Sequence, residues 1–133
     1  MILGNNVAGF NGKEESLIKL MEILRPGVIM LQETKLYKEG KIKLGVFFIF
    51  EKLRKYKGGG GLMTAIHENL KPILVEDDDD DTNDIMVVDF QFDGKTSVRT
   101  INGYGPQEYS RNKNVMMWRI SLYNTRAIFE ACC

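Results

Sequence analysis

The chain has 133 residues, of which 44% are apolar and 27% charged, and its 18 basic residues balance 18 acidic ones. This composition is typical of one ordinary globular domain and excludes intrinsic disorder over the whole length. No apolar run approaches the roughly 20 residues of a membrane helix, and the first residues lack the basic leader of a secretory signal. The adjacent cysteines, Cys132 and Cys133, favour a reducing, intracellular setting over a disulfide framework.

The first part of the chain alternates between strand and helix patterns. Residues 2–7 are a short possible strand, and the glycine-containing residues 9–12 interrupt it. Residues 13–24 predict an amphipathic helix, because apolar residues recur there at steps of three and four. The repeating residues are Leu17, Leu20, Met21 and Leu24. Arg25-Pro26-Gly27 predicts the end of this helix, because proline cannot continue the hydrogen-bond ladder.

Strands dominate the middle of the chain. Residues 28–31 are continuously apolar, which predicts a strand buried on both faces. Residues 45–50 are a second apolar run, and residues 62–66 predict another strand. In residues 85–92 the apolar side chains of Met86, Val88, Phe90 and Phe92 alternate, which predicts a strand with one packed face.

The last third combines a hairpin with a second helical pattern. Asp93-Gly94 is a strong turn signal, and residues 98–102 would be the return strand of the hairpin. Residues 112–130 carry apolar residues at helical spacing, so we predict a final helix, with Met116, Met117 and Trp118 on its packed face. The repeating residues are Met116, Ile120, Tyr123 and Ala127. Together the elements predict a single α/β domain with a mixed, mostly antiparallel sheet and flanking helices.

Charge is segregated along this neutral chain. A basic cluster contains a tyrosine that could stack on a base; it consists of Lys52, Arg54, Lys55, Tyr56 and Lys57. The cluster is either a phosphate-facing edge or a solvated loop. Residues 76–81 are all acidic, and they favour a solvated loop, because they lack the spaced ligands and turn glycine of a calcium site.

Glu33 is the first candidate for chemistry. It follows a buried apolar strand, where side chains reach the mouth of a sheet. A single carboxylate at that position suits Mg²⁺, which prefers oxygen and typically uses one or two protein carboxylates. A helix-capping or surface glutamate is the alternative interpretation. The glycine run at 58–61 lacks the lysine-serine ending of a P-loop, so a P-loop is rejected.

Four motifs appear together in a fixed order. They are Asn-Val-Ala-Gly-Phe-Asn at 6–11, Leu-Gln-Glu-Thr-Lys-Leu at 31–36, Gly-Gly-Gly-Leu at 59–62 and Ile-Asn-Gly-Tyr-Gly-Pro-Gln at 101–107. This ordered set resembles the endonuclease/exonuclease/phosphatase superfamily, and most of all its apurinic-type and non-LTR retroelement endonucleases. The resemblance covers residues 6–107 and implies the DNase I-like four-layer α/β sandwich.

The resemblance also implies roles for individual residues. Glu33 matches the glutamate that binds the catalytic divalent ion, Mg²⁺ or Mn²⁺, and Asn6 matches the asparagine that orients the metal and the scissile phosphate. Tyr104 matches the tyrosine whose hydroxyl contacts the phosphate, and Gln107 stands where relatives contact nucleic acid. The basic cluster at 52–57 lies where apurinic-type relatives place a DNA-contacting loop.

Several family residues have no counterpart in this sequence. The glycine-aspartate-x-asparagine motif, a further aspartate and the serine-aspartate-histidine segment are absent from the 133 residues. Ala8 and Gly27 stand where many relatives carry polar residues. His67 is the only histidine; it does not match the catalytic one, and we expect it on the surface. The resemblance therefore implies a truncated domain covering 1–133.

The expected function is metal-dependent phosphodiester cleavage of DNA, with one part of the active site missing and the metal held weakly. Two alternatives remain open: a catalytically inactive remnant that binds nucleic acid or protein, and a lipid or inositol phosphatase of the same superfamily. The expected partners are DNA and either a second copy of the chain or the missing half. An intracellular location, with the nucleus as one option, follows from the DNA substrate.

Overall fold

The computed structural model describes residues 2–38, 40, 42–53, 60–75, 84–105, 115–122 and 128–132. It has a mixed α/β architecture with two mostly antiparallel sheets and few helices. Within these ranges, no helix is long and apolar enough to cross a membrane.

The first sheet has four strands in the order β1-β2-β4-β3. The strands are β1 (Ile2–Asn6), β2 (Val28–Gln32), β3 (Phe47–Lys52) and β4 (Leu62–His67). The β1–β2 pair is parallel, with Asn6 opposite Gln32. The β2–β4 and β3–β4 pairs are antiparallel, and Leu62 lies opposite both Gln32 and Lys52. The carboxyl ends of β1, β2 and β3 therefore meet the amino end of β4 at one edge.

The second sheet has five strands that follow one another in sequence. They are β5 (Ile73–Leu74), β6 (Asp84–Phe92), β7 (Thr96–Gly105), β8 (Val115–Leu122) and β9 (Ile128–Cys132). All four pairings are antiparallel. The β6–β7 turn is the one that the Asp93-Gly94 signal predicted. Both turn residues have positive φ, and the carboxylate of Asp93 accepts hydrogen bonds from the backbone N–H groups of Lys95 and Thr96.

The one α-helix among the described residues, α1 (Glu14–Leu24), covers the outer face of the first sheet. The predicted helix begins one residue earlier and ends at the same residue. Arg25 ends the helix in the left-handed conformation, with its N–H donating to the carbonyl of Met21. Leu17 is buried against alternate residues of the first sheet, including Ile29, Leu31, Met63 and Ala65.

The two sheets pack face to face through a second apolar cluster. The first sheet contributes Val28, Met30, Leu62 and Ile66, and the second contributes Met86, Val88, Phe90 and Val98. All five residues of β2 are buried, which confirms the predicted strand with two packed faces. The layers are therefore helix, sheet and sheet, with one core on each side of the first sheet.

The predicted final helix at 112–130 is wrong, because β8 and β9 occupy that part of the chain. Its packed face, assigned to Met116, Met117 and Trp118, therefore does not exist as a helix face. Residues 116, 118, 120 and 122 are apolar, which is the period of a strand. The step from Met116 to Ile120 fits both periods, so it could not decide between them. Tyr123 and Ala127 lie outside the described residues.

Phe92 also departs from expectation. The alternation in β6 placed it on the packed face, and Met86, Val88 and Phe90 are indeed buried. Phe92 itself is 59% exposed, because it pairs with Thr96 at the turn, where the hairpin runs past the core of the sandwich. The period of the strand is right at this residue, but the core does not extend that far.

Candidate active site at one end of the sandwich

The described positions of the predicted catalytic residues converge on one end of the sandwich. Asn6 ends β1 beside Gln32, and Glu33 directly follows β2. Tyr104 lies near the carboxyl end of β7, opposite Asp84, and Asn102 of the same strand hydrogen-bonds to β2 and β4. The ends of three strands from both sheets therefore lie close to Glu33. For Asn6 and Tyr104 only the backbone is described.

The backbone around Glu33 is held on two sides. On one side, the N–H groups of Val7, Gly9 and Phe10 donate to the carbonyls of residues 32, 33 and 34 at 3.0, 2.7 and 2.9 Å. On the other side, Thr34 and Lys35 donate to the carbonyls of Gly61 and Gly60 at 3.2 and 3.0 Å. Three of the four sequence motifs thus form one continuous backbone hydrogen-bond network.

Several non-glycine residues of this network have positive φ. The φ values are 53° at Glu33, 54° at Lys35 and 48° at Ala8. Such conformations cost roughly 1–3 kcal/mol each and cluster at functional sites. Here the hydrogen bonds on both sides impose them, and they direct the chain away from the sheet directly after β2.

The Glu33 side chain is half-buried. None of the described side chains hydrogen-bonds to its carboxylate, so both oxygens retain their capacity to accept. A carboxylate on a backbone with so little freedom, at the rim of a sheet, can serve as a ligand for a hard cation.

Lys52 lies at the same end, as the last residue of β3. Its ammonium group donates to the carbonyl of Ile85 in β6 at 3.3 Å, so this lysine links the two sheets. Residues 54–57 of the basic cluster lie outside the described residues, as does Gln107. Leu53 and Gly60, which flank that segment, extend from the adjacent ends of β3 and β4.

His67 lies at the other end of the sandwich, because it is the last residue of β4. Its Nδ1 accepts a hydrogen bond from the N–H of Asn69 at 3.2 Å, and its ring packs edge-to-face on Phe47. His67 is half-buried and caps a short 3₁₀ helix, Glu68–Leu70. These contacts give His67 a structural role at the end of β4.

The metal-ligating capacity of this end is small. Within the described ranges, no group of three or more histidine, cysteine, aspartate and glutamate residues could hold a metal ion. Glu33 alone still fits a hydrated Mg²⁺, since that ion keeps several waters and uses few carboxylates. The residues fit a weak site and not a closed cage.

Three cavities lie among the described residues. One cavity of about 410 Å³ lies beside β3 and includes Lys52 and Glu51. A second, of about 310 Å³, lies between α1 and β1, and a third lies near Phe48 and Ile73. Glu33 lines none of these three cavities.

No family model matches the chain, and no curated protein matches it.

Asn102 also lies at this end, and the sequence analysis did not single it out. It belongs to the fourth motif, is fully buried, and forms four side-chain hydrogen bonds. A polar residue among the inward-facing positions of β7, where Val98 is apolar, was the only available signal.

Gly61 provides a test of the network around Glu33. A Cβ atom at Gly61, where φ is +90°, would lie 2.5 Å from Thr34 Oγ1 and 3.2 Å from the backbone nitrogen of Lys35. We expect Gly61→Ala to lower the free energy of unfolding by about 2 kcal/mol or more, through backbone strain and this clash. Urea denaturation measures the change.

Gly12→Ala is the matched control for that variant. Gly12 also has positive φ, +79°, but nothing lies within 4 Å of its Cβ position. In the control, the free energy of unfolding should therefore fall only by the cost of placing alanine in the left-handed conformation, about 1 kcal/mol. Equal losses in the two variants would show that the close approach of residues 34 and 35 to Gly61 does not constrain the site.

Proposed function

We propose that this chain carries the metal-binding and phosphate-contacting part of a phosphodiesterase site acting on DNA, of the endonuclease/exonuclease/phosphatase type. The observation that carries the proposal is the meeting of the motif at 6–11, the residues after β2, the glycines before β4 and the end of β7 at one edge. The resemblance rests on the residues of these motifs and on their order and spacing along the chain, so their proximity in space is additional support.

In this proposal each residue at the edge has one task. Glu33 binds Mg²⁺ or Mn²⁺, which when present supplies Lewis-acid polarisation of a phosphoryl oxygen. The Asn6 amide orients the scissile phosphate, and the Tyr104 hydroxyl donates to a non-bridging oxygen on which charge develops. Gln107 and the basic cluster at 52–57 contact the flanking nucleic acid.

DNA is the proposed substrate because Lys52 lies at this edge and further basic residues follow it in the sequence. Lysine and arginine contact backbone phosphates, and an aromatic side chain such as Tyr56 can stack on a base. A lipid or inositol phosphatase of the same superfamily would need the same metal and phosphate contacts. The basic cluster at 52–57 and the Gln-Glu-Thr-Lys sequence favour the nuclease.

The proposed fold is a DNase I-like sandwich with four layers, of which three are α1 and the two sheets. The outer face of the second sheet would be covered by the fourth layer. On that face Asp89 and Arg99 form a bidentate ion pair at 2.8 and 2.9 Å, with both side chains partly buried.

An inactive, DNA-binding form is the second candidate function. It is favoured because the described residues offer Glu33 without a companion set of acidic or histidine ligands. The two candidates share the same binding surface and differ only in turnover, so one experiment separates them.

The metal proposal predicts weak binding that depends on Glu33. Titration of the chain with Mn²⁺, followed by the electron paramagnetic resonance of the free ion, should show a low-affinity site that Glu33→Gln abolishes. One carboxylate supplemented by waters gives a hydrated cation few protein bonds. Glu22→Gln, on the exposed side of α1, should leave the site intact.

The acidic run is the competing cation site and needs its own variant. Serine should replace the five aspartates Asp77, Asp78, Asp79, Asp80 and Asp81. We expect this variant to retain Glu33-dependent binding. Tight binding that survives Glu33→Gln and is lost with the aspartates would contradict the assignment.

We expect no measurable turnover by this chain on duplex DNA, abasic DNA or phosphate monoesters. The family residues that activate water and protonate the leaving oxygen have no counterpart in the sequence, and each such role contributes about 10²- to 10⁴-fold in rate. A supercoiled-plasmid nicking assay with Mg²⁺ measures this directly. Nicking that both chelator and Glu33→Ala abolish would refute the expectation and establish the nuclease.

DNA binding should remain and weaken steeply with salt. The logarithm of the binding constant should fall with the logarithm of salt concentration, with a slope of about −0.9 per phosphate contact on duplex DNA. Lys55→Ala should reduce the magnitude of that slope by about one contact. Lys19→Ala, which removes an exposed charge on α1, should leave it unchanged; equal effects of both variants would place the binding surface elsewhere.

A further inference from the structure

A buried polar group lies between the sheets, directly behind the candidate site. The layer between them is apolar over most of its length. At the end near Glu33, however, Gln32, Thr64 and Asn102 all have 0% exposure. Buried polar side chains are costly unless they are hydrogen-bonded, so their bonding pattern bears on the site.

Asn102 connects the second sheet to two strands of the first. The two N–H groups on its Nδ2 are shared among three acceptors, the carbonyls of Leu31 at 3.2 Å and Met63 at 3.0 Å and Thr64 Oγ1 at 3.2 Å. Its Oδ1 accepts from Gln32 Nε2 at 2.6 Å. One side chain of β7 therefore bonds to both β2 and β4.

Both amide residues are close in sequence to a proposed site residue. Gln32 immediately precedes Glu33, and Asn102 lies two residues before Tyr104, which is the repeat of one strand face. The bond between them, together with the bonds from Asn102 to β2 and β4, is therefore the shortest described connection between the Glu33 strand and the Tyr104 strand.

We propose that Asn102, acting through Gln32 and the β2–β4 backbone, is a positioning residue that sets the spacing between Glu33 and Tyr104. The roles of Glu33 and Tyr104 in this inference rest on the proposed function, whereas the hydrogen bonds of Asn102 do not depend on it. An apolar contact tolerates sliding, whereas displacement of a buried amide leaves donors and acceptors unsatisfied. Gln32 Oε1 has no hydrogen-bond partner among the described residues, so the bond to Asn102 is the one that orients this side chain.

The first test needs no metal and measures amide hydrogen exchange. Asn102→Leu keeps the number and branching of the side-chain heavy atoms and removes the hydrogen bonds. We expect it to reduce protection of Met63 and Gly103, near the site, by at least about tenfold more than protection of Ile66 and Val98, near the other end. A uniform reduction along the strands would overturn the proposal, because it would indicate a stabilising role only.

Thr100→Val is the matched control for hydrogen exchange. Thr100 lies on the same strand, is 1% exposed, and donates to the carbonyl of Val88 at 2.8 Å. That bond lies within the second sheet, so its loss should not loosen the site end selectively. If Asn102→Leu does not fold, the same hydrogen-exchange comparison is made with Gln32→Met. This variant keeps the bonds from Asn102 to the backbone and removes only the bond between Gln32 and Asn102.

The second test measures the spacing itself. Mn²⁺ bound at Glu33 should broaden the ring resonances of Tyr104, and the steep distance dependence of this broadening makes it a sensitive ruler. At saturating Mn²⁺ we expect the broadening to decrease in Asn102→Leu and to persist in Thr100→Val. Unchanged broadening in a folded Asn102→Leu protein would overturn the proposal. If the wild-type chain shows no broadening that Glu33→Gln removes, the metal site of the proposed function fails, and hydrogen exchange alone then decides the positioning role.

Discussion

The burial of β2 on both faces is the constraint on which the rest of the structure depends. Ile29 and Leu31 contribute to the core under α1, and Val28 and Met30 to the core between the sheets. A shift of one residue in register would exchange these two sets, so neither core can form without fixing the strand. Because Glu33 directly follows this strand, its position is set by packing and not by the loop that contains it.

The end of β2 is also where regular structure stops and strained backbone begins. Left-handed conformations occur at Glu33 and Lys35, and also at Ala8, whose neighbour Gly9 donates its N–H to the Glu33 carbonyl. The backbone bonds to residues 7–10 and to Gly60 and Gly61 compensate for them. The strained backbone at the end of β2 thus partly offsets the stability that the two cores produce. Such strain is common where a side chain must be held for binding.

The sequence predicted those elements that depend mainly on interactions between residues close together in the chain. The apolar spacing around Leu17 predicted α1, the continuous run predicted β2, and Asp93-Gly94 predicted the hairpin. The strands β8 and β9 were missed because the Met116–Ile120 step fits two periods, and pairing with β7 decides between them. Glu33 could be singled out because an apolar run ends there, whereas nothing near Asn102 in the sequence indicates partners 38 to 71 residues away.

The two sheets differ in how far apart their paired strands lie along the chain, and this has a consequence for folding. Each strand of the second sheet pairs with its neighbour in sequence, so its hairpins close short loops. The first sheet instead pairs β1 with β2 across a helix, and β2 with β4 across the whole of residues 33–61. Loop-closure entropy makes such distant pairings slow. The meander can therefore form early in folding, and the rim that holds Glu33 is completed only when the last long-range strand pairings and the Asn102 bonds are in place.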